Sequence, residues 1–133
     1  MITLHQAQAI IAAGEAKATT IGVPVNIAVP DAGTHLKAFS RMDGAVLGSI
    51  DIATRKARTA VLFQTTSETV WEYCKPGAPA PGLELTNGGL APFAGGIPLL
   101  DRDGEVVGAV GVSGGAVSQD LDIAKAAAAA LVA

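Results

Sequence analysis

Leu4, Ala7, Ile11, Ala18 and Ile21 recur at helical spacing behind a Thr3/Gln6 pair that has the separation of a capping box, and Gly22 and Pro24 stop the run. The pattern predicts a first helix over residues 4–21. The period then shortens to two: Val25, Ile27 and Val29 alternate with Asn26 and Ala28, Asp31-Ala32-Gly33-Thr34 supplies turn chemistry, and a second alternating run extends from His35 to Arg41. This predicts a β-hairpin. Strand side chains alternate between faces, so His35, Lys37, Phe39 and Arg41 are expected on one surface, opposite Leu36, Ala38 and Ser40. From Ser49 to Phe63 a helical stripe returns through Ile50, Ala53, Ala57 and Val61, with Arg55, Lys56 and Arg58 outside it. Ser67 is placed to cap a short third helix ending at Cys74, before Pro76.

Residues 75–96 are rich in proline and glycine, a length of irregular chain that compact domains seldom keep without a use, and they read as a binding loop. Ile97–Leu100 and Glu105–Val112 flank Asp101-Arg102-Asp103-Gly104, which predicts a second hairpin with a tight Asp-Gly turn. Ser118 is placed to cap a last helix reaching Val132. Helix, hairpin, two helices, loop, hairpin, helix is the order of an α+β layered domain, with an antiparallel sheet covered by helices.

Composition narrows what such a domain can do. With 133 residues the chain is expected to form one domain, and a 50% hydrophobic but 4% aromatic composition makes the core one of Ala, Val, Ile and Leu. A net charge of −3, with nine Lys and Arg spread along the chain, offers no basic cluster for nucleic acid or an anionic membrane. No apolar run is long enough to span a bilayer. One cysteine, Cys74, rules out an internal disulfide, and no leader-like segment opens the sequence; both lead to the expectation of a cytoplasmic protein.

The chemistry-bearing motifs are sparse. Gly111-Val112-Ser113-Gly114-Gly115 has the G-x-S-x-G form of a hydrolase nucleophile elbow, but that fold needs a histidine after the serine, and the histidines here are His5 and His35. The glycines at 108, 111, 114 and 115 miss the dinucleotide spacing, and Asp101, Asp103 and Gly104 lack the remaining ligands of a calcium loop. Arg41 and Asp43 flank a strand end before Gly44. Arg41 has the chemistry to clamp a carboxylate in two-point contact; the structural alternative for Arg41 and Asp43 is an ion pair that pins the strand end, to helix two with Lys56 as partner of the acid or to a neighbouring subunit. His35 is a candidate metal or haem ligand or a surface histidine beside a turn. Trp71, Tyr73 and Phe93 lie on or beside the loop, where they would line a pocket for a flat apolar ligand or close the core or a subunit contact.

The strings His35-Leu36, Arg41-Met42-Asp43-Gly44-Ala45, Lys56-Ala57, Gly95-Gly96-Ile97-Pro98 and Gly108-Ala109, with Gly111-Val112-Ser113-Gly114 and Asp120, together resemble the GlcG/HbpS-like (haem-degrading) family. The same domain is found at the C-terminus of PduO-type corrinoid adenosyltransferases. The resemblance runs nearly end to end. It implies a profilin-like sheet flanked by helices, a homo-oligomer (octamers among them), and a small-molecule ligand for which haem is the candidate cofactor. The ligand-binding candidates are His35, Arg41, Gly95, Gly96 and Ser113 within the matching strings, and Trp71, Asn87 and Phe93 on or beside the proline-glycine loop, with His35 the candidate ligand of haem iron. The rival expectation is a catabolic enzyme acting on a small carboxylated or aromatic-derived compound, with Arg41, Asp43 and Glu84 as catalytic candidates beside His35. A third is an accessory or assembly protein without chemistry. Pro30 and Thr34 depart from the aliphatic residue and glycine that the family pattern puts in the first turn.

Overall fold

A computed structural model describes residues 1–131. Its elements are α1 (Leu4–Ile21), β1 (Asn26–Pro30), β2 (Leu36–Arg41), α2 (Gly48–Phe63), α3 (Ser67–Cys74), a 3₁₀ turn (Leu83–Leu85), β3 (Gly96–Leu100), β4 (Val106–Ser113) and α4 (Val117–Ala128). The strands form a single antiparallel sheet in the order β2-β1-β4-β3. The architecture is the expected α+β one, with a helical layer on each face.

One face carries Ile27, Val29, Val110 and Val112, which pack with Ile10, Ile11 and Ile123 of α1 and α4. The other carries Ala28 and Ala109, which meet Ala53, Ala57 and Ala60 of α2. All five residues of β1 are buried, so the alternation at Val25–Val29 marks two covered faces, not one wet and one dry. The small residues set the layer spacing. A Cβ added at Gly14 would sit 2.7 Å from Ile27 Cδ1 and 3.3 Å from Ala127 Cβ, so α1 lies closely against both the sheet and α4. Ala124 and Ala127 are fully buried there, which gives the C-terminal alanine run a packing role.

Three local expectations need correction. Thr66, not Ser67, is the N-cap of α3; the Ser67 hydroxyl donates to the Phe93 carbonyl (2.6 Å) and accepts from Gly96 N–H (2.9 Å). Ala116, not Ser118, precedes α4, where Gln119 Oε1 takes the Ala116 N–H at 2.9 Å. That helix ends at Ala128, and Val132 lies outside the described residues.

The second hairpin also differs from a two-residue Asp-Gly turn, and it matches the first. In each, an aspartate opens the turn: Asp31 Oδ1 accepts from Gly33 and His35 N–H (2.9 and 3.0 Å), and Asp101 Oδ1 accepts from Asp103 and Glu105 N–H (2.9 and 3.0 Å). The fourth residue is left-handed in both, Gly104 at φ +80° and Thr34 at φ +69°. The β-branched Thr34 pays a steric cost of about 1–2 kcal/mol that Gly104 avoids.

Candidate functional site

Helix α2 presents Ser49, Ala53, Lys56, Ala57 and Ala60 to the sheet, a stripe at helical spacing that includes a lysine. Lys56 is therefore inside the protein, with no exposed surface, not among the solvated charges where its spacing from Arg55 and Arg58 had put it. Its Nζ donates to the Val112 carbonyl (2.8 Å) and to Asp120 Oδ2 (3.0 Å), and the Phe93 ring covers it with its centroid 5.1 Å away. Asp120, 2% exposed, uses its other oxygen to accept from Gly115 N–H at 2.9 Å. Burial pushes the Lys56 pKa below its ordinary value, opposed by the Asp120 carboxylate and, more weakly, by Glu68. The pair ties α2 to the end of β4 and the start of α4.

Glycines make room for this lysine. A Cβ at Gly95 would fall 2.5 Å from the Val112 carbonyl oxygen and 2.7 Å from Lys56 Nζ. Gly96 lies against the Lys56 backbone in the same way. Gly95 and Gly96 thus serve packing around Lys56.

Beside the pair, a largely apolar groove of about 430 Å³ is lined by Trp71, Pro92, Phe93, Ala94 and Val117, together with Glu68 and Glu72 from α3. Trp71 and Phe93 stay 43% and 40% exposed. The Glu72 carboxylate is held by Lys75 Nζ at 2.5 Å. Glu68 differs: its Oε1 is buried and has no hydrogen-bond partner among the described residues. Sequence reasoning found Trp71 and Phe93 but not Glu68. The available signal was its position one helical turn before Trp71 and Glu72 on α3.

The irregular chain after α3 is fixed rather than loose. Arg55 donates to the Gly88 and Gly89 carbonyls at 2.5 and 2.8 Å, Arg58 to the Asn87 carbonyl, and Thr59 Oγ1 accepts from Ala91 N–H at 3.1 Å. Asn87, in a left-handed conformation, is thus a point where the loop is pinned to α2. Glu84 sits next to Cys74. Burial first, and then Glu84, push the Cys74 thiol pKa up, so the thiol is held in its unreactive protonated form.

The remaining candidates do not converge on the groove. Arg41, Asn26 and Ser113 are cross-strand neighbours at one end of the sheet, with Asn26 fully buried and donating to the Val46 carbonyl at 3.2 Å. Arg41 and Asp43 are exposed, and among the described residues neither makes an ion pair. Lys56 pairs with Asp120 and not with Asp43. His35 lies just before β2 at the opposite end, about 20 Å of extended strand from Arg41. Its imidazole is 85% exposed, with Nδ1 3.8 Å from Asp31 Oδ1. His35, Arg41, Asp43, Glu84, Asn87 and Ser113 do not line the groove.

A two-faced antiparallel sheet with a buried Lys-Asp tie and an apolar groove beside α3 defines a profilin-like α+β protein with a small-molecule-sized cleft. The family model for haem degrading protein HbpS-like matches residues 2–129, and the chain belongs to that family. An uncharacterized 15.0 kDa protein from the dhaT-dhaS intergenic region of Citrobacter freundii is 42% identical over 127 residues, which are 95% of this chain and 89% of that one. The corrinoid adenosyltransferase PduO of Salmonella typhimurium is 38% identical over 132 residues; the match takes in 98% of this chain but 39% of PduO. The crystal structure of a PduOC–haem complex superposes with a TM-score of 0.91 at 37% identity, covering 97% of this chain and 94% of that one. No helix among the described residues is long and apolar enough to cross a membrane.

Proposed function

We propose that this chain is a cytoplasmic, homo-oligomeric, small-molecule-binding protein whose ligand is haem, with His35 as the donor to the iron. The observation that carries the assignment is the state of His35: an imidazole 85% exposed, with a carboxylate near one ring nitrogen and solvent around the rest. Asp31 Oδ1 accepts from the Gly33 and His35 backbone N–H groups and so fixes the turn that presents the ring. Lys37, exposed and two residues along on the same side of the edge strand, is a cation for a propionate. Haem bound to a relative of 37% identity supports the choice of ligand.

The groove by α3 fits haem less well. Its aromatic walls suit a flat ring, but no histidine, cysteine, methionine or tyrosine lines it, and two carboxylates do. The exposed Leu36, Val46 and Leu47 on and after the edge strand support self-association along that side of the sheet. Bound haem brings its own redox chemistry; the protein's share is to hold and orient it.

Haemin titration followed at the Soret band tests this. The wild type is expected to give a saturable shift, His35→Ala to weaken it about tenfold or more, and His5→Ala, an exposed position on α1, to leave it unchanged. A full-strength shift in His35→Ala would reject His35 as the ligand, and no shift in the wild type would reject haem.

A further inference from the structure

We propose that the groove beside α3 is a separate ligand site, built for a small flat molecule that carries a cationic nitrogen with an N–H to donate. The groove already has a flat apolar lining, from Trp71 and Phe93, and its chemistry is set by the acid beside them. Charges around it cancel in pairs with one left over. Lys56 is matched by Asp120 at 3.0 Å and Lys75 by Glu72 at 2.5 Å, whereas Glu68 makes no ion pair among the described residues. Lys56 feels Glu68 only through space, its own donors being directed to Val112 and Asp120.

The Glu68 carboxylate lines the groove without an ion-pair partner among the described residues, and its Oε1 atom is buried with no hydrogen bond there. Buried polar atoms are nearly always satisfied, and one on a carboxylate is among the more expensive to leave open. A ligand lying on Trp71 with an amidinium or ammonium turned to the groove side of the Glu68 carboxylate supplies the missing positive charge, and the indole face favours a cation over a neutral ring. An anionic ring meets the opposite field. This site does not depend on the haem reading: its residues are on α3, in the segment before β3 and at the start of α4, while His35 is at the far end of the sheet.

Trp71 is the only tryptophan in the sequence, so its fluorescence reports on this groove directly. Benzamidine, flat and cationic, is expected to change that fluorescence saturably, and benzoate, equally flat but anionic, to bind at least about tenfold more weakly. Glu68→Gln should weaken benzamidine about tenfold or more, while Glu105→Gln, an exposed acid of the second hairpin outside the groove, should change it less than about threefold. The benzamidine and benzoate comparison on the unaltered protein needs no variant to fold. Equal binding of the two probes, no saturable change with benzamidine, or full affinity in a folded Glu68→Gln protein would each overturn the proposal.

Discussion

Lys56→Ala is expected to destabilise the fold by about 3–5 kcal/mol, because it leaves Asp120 as an uncompensated buried charge. The loss is not mainly one of attraction between the pair. Both groups have already given up their hydration, and the lysine also satisfies the Val112 carbonyl and fills the space under Phe93. Removing both charges should therefore cost less than removing one. The double variant Lys56→Met, Asp120→Leu is expected to recover a large part of the loss, the remainder reflecting the Gly115 N–H left without its acceptor. Urea unfolding of the two single variants and the double one gives the comparison. A single-variant loss below about 1 kcal/mol would mean that the pair is not buried as described.

Gly111→Ala is expected to cost about 3 kcal/mol or more, at the upper end for an overpacked core. Its Cβ would press into the Ala53 carbonyl oxygen and stand 2.7 Å from Ala57 N, and backbone atoms of a helix cannot swing aside as the tip of a side chain can. Helix α2 would have to lift from β4, disturbing the seats of Lys56 and Ser49 on the same face. By contrast, Gly77→Ala, where nothing lies within 4 Å of the added carbon, meets no packing conflict and pays only for its left-handed φ of +83°. Gly111 is not left-handed, so its loss is one of packing and that of Gly77 one of backbone strain, and the two midpoints of thermal unfolding compare them directly. Equal losses at both positions would contradict the close approach of α2 to the sheet.

Much of the fold is legible in the hydrophobic pattern because the pattern is regular. The first helix, both hairpins and α2 follow from periods of 3.6 and 2, and α1 keeps its expected bounds because the Thr3/Gln6 capping box and Gly22 mark its ends chemically. The caps of α3 and α4 were less legible, since Ser67 and Ser118 have the right chemistry one or two residues inside the true boundary. The site was harder to read for a different reason. A lysine on a helix is usually solvated, and nothing local says that Lys56 will meet Asp120, 64 residues away. The same holds for Glu68, whose unpaired oxygen exists only because α3 packs beside the Phe93 segment. His35 and Arg41 were assigned to one face by strand alternation, which says nothing of how far apart along a strand two residues lie. The register places them at its two ends.

The two proposed ligand sites lie at opposite ends of one sheet, and competition between their ligands tests that separation most directly. Haemin is titrated at the Soret band with and without saturating benzamidine. The expected result is the same haemin curve in both, with Glu68→Gln also leaving it unchanged. A haemin curve displaced in proportion to benzamidine would contradict the account, because it would put both ligands in the groove beside Trp71.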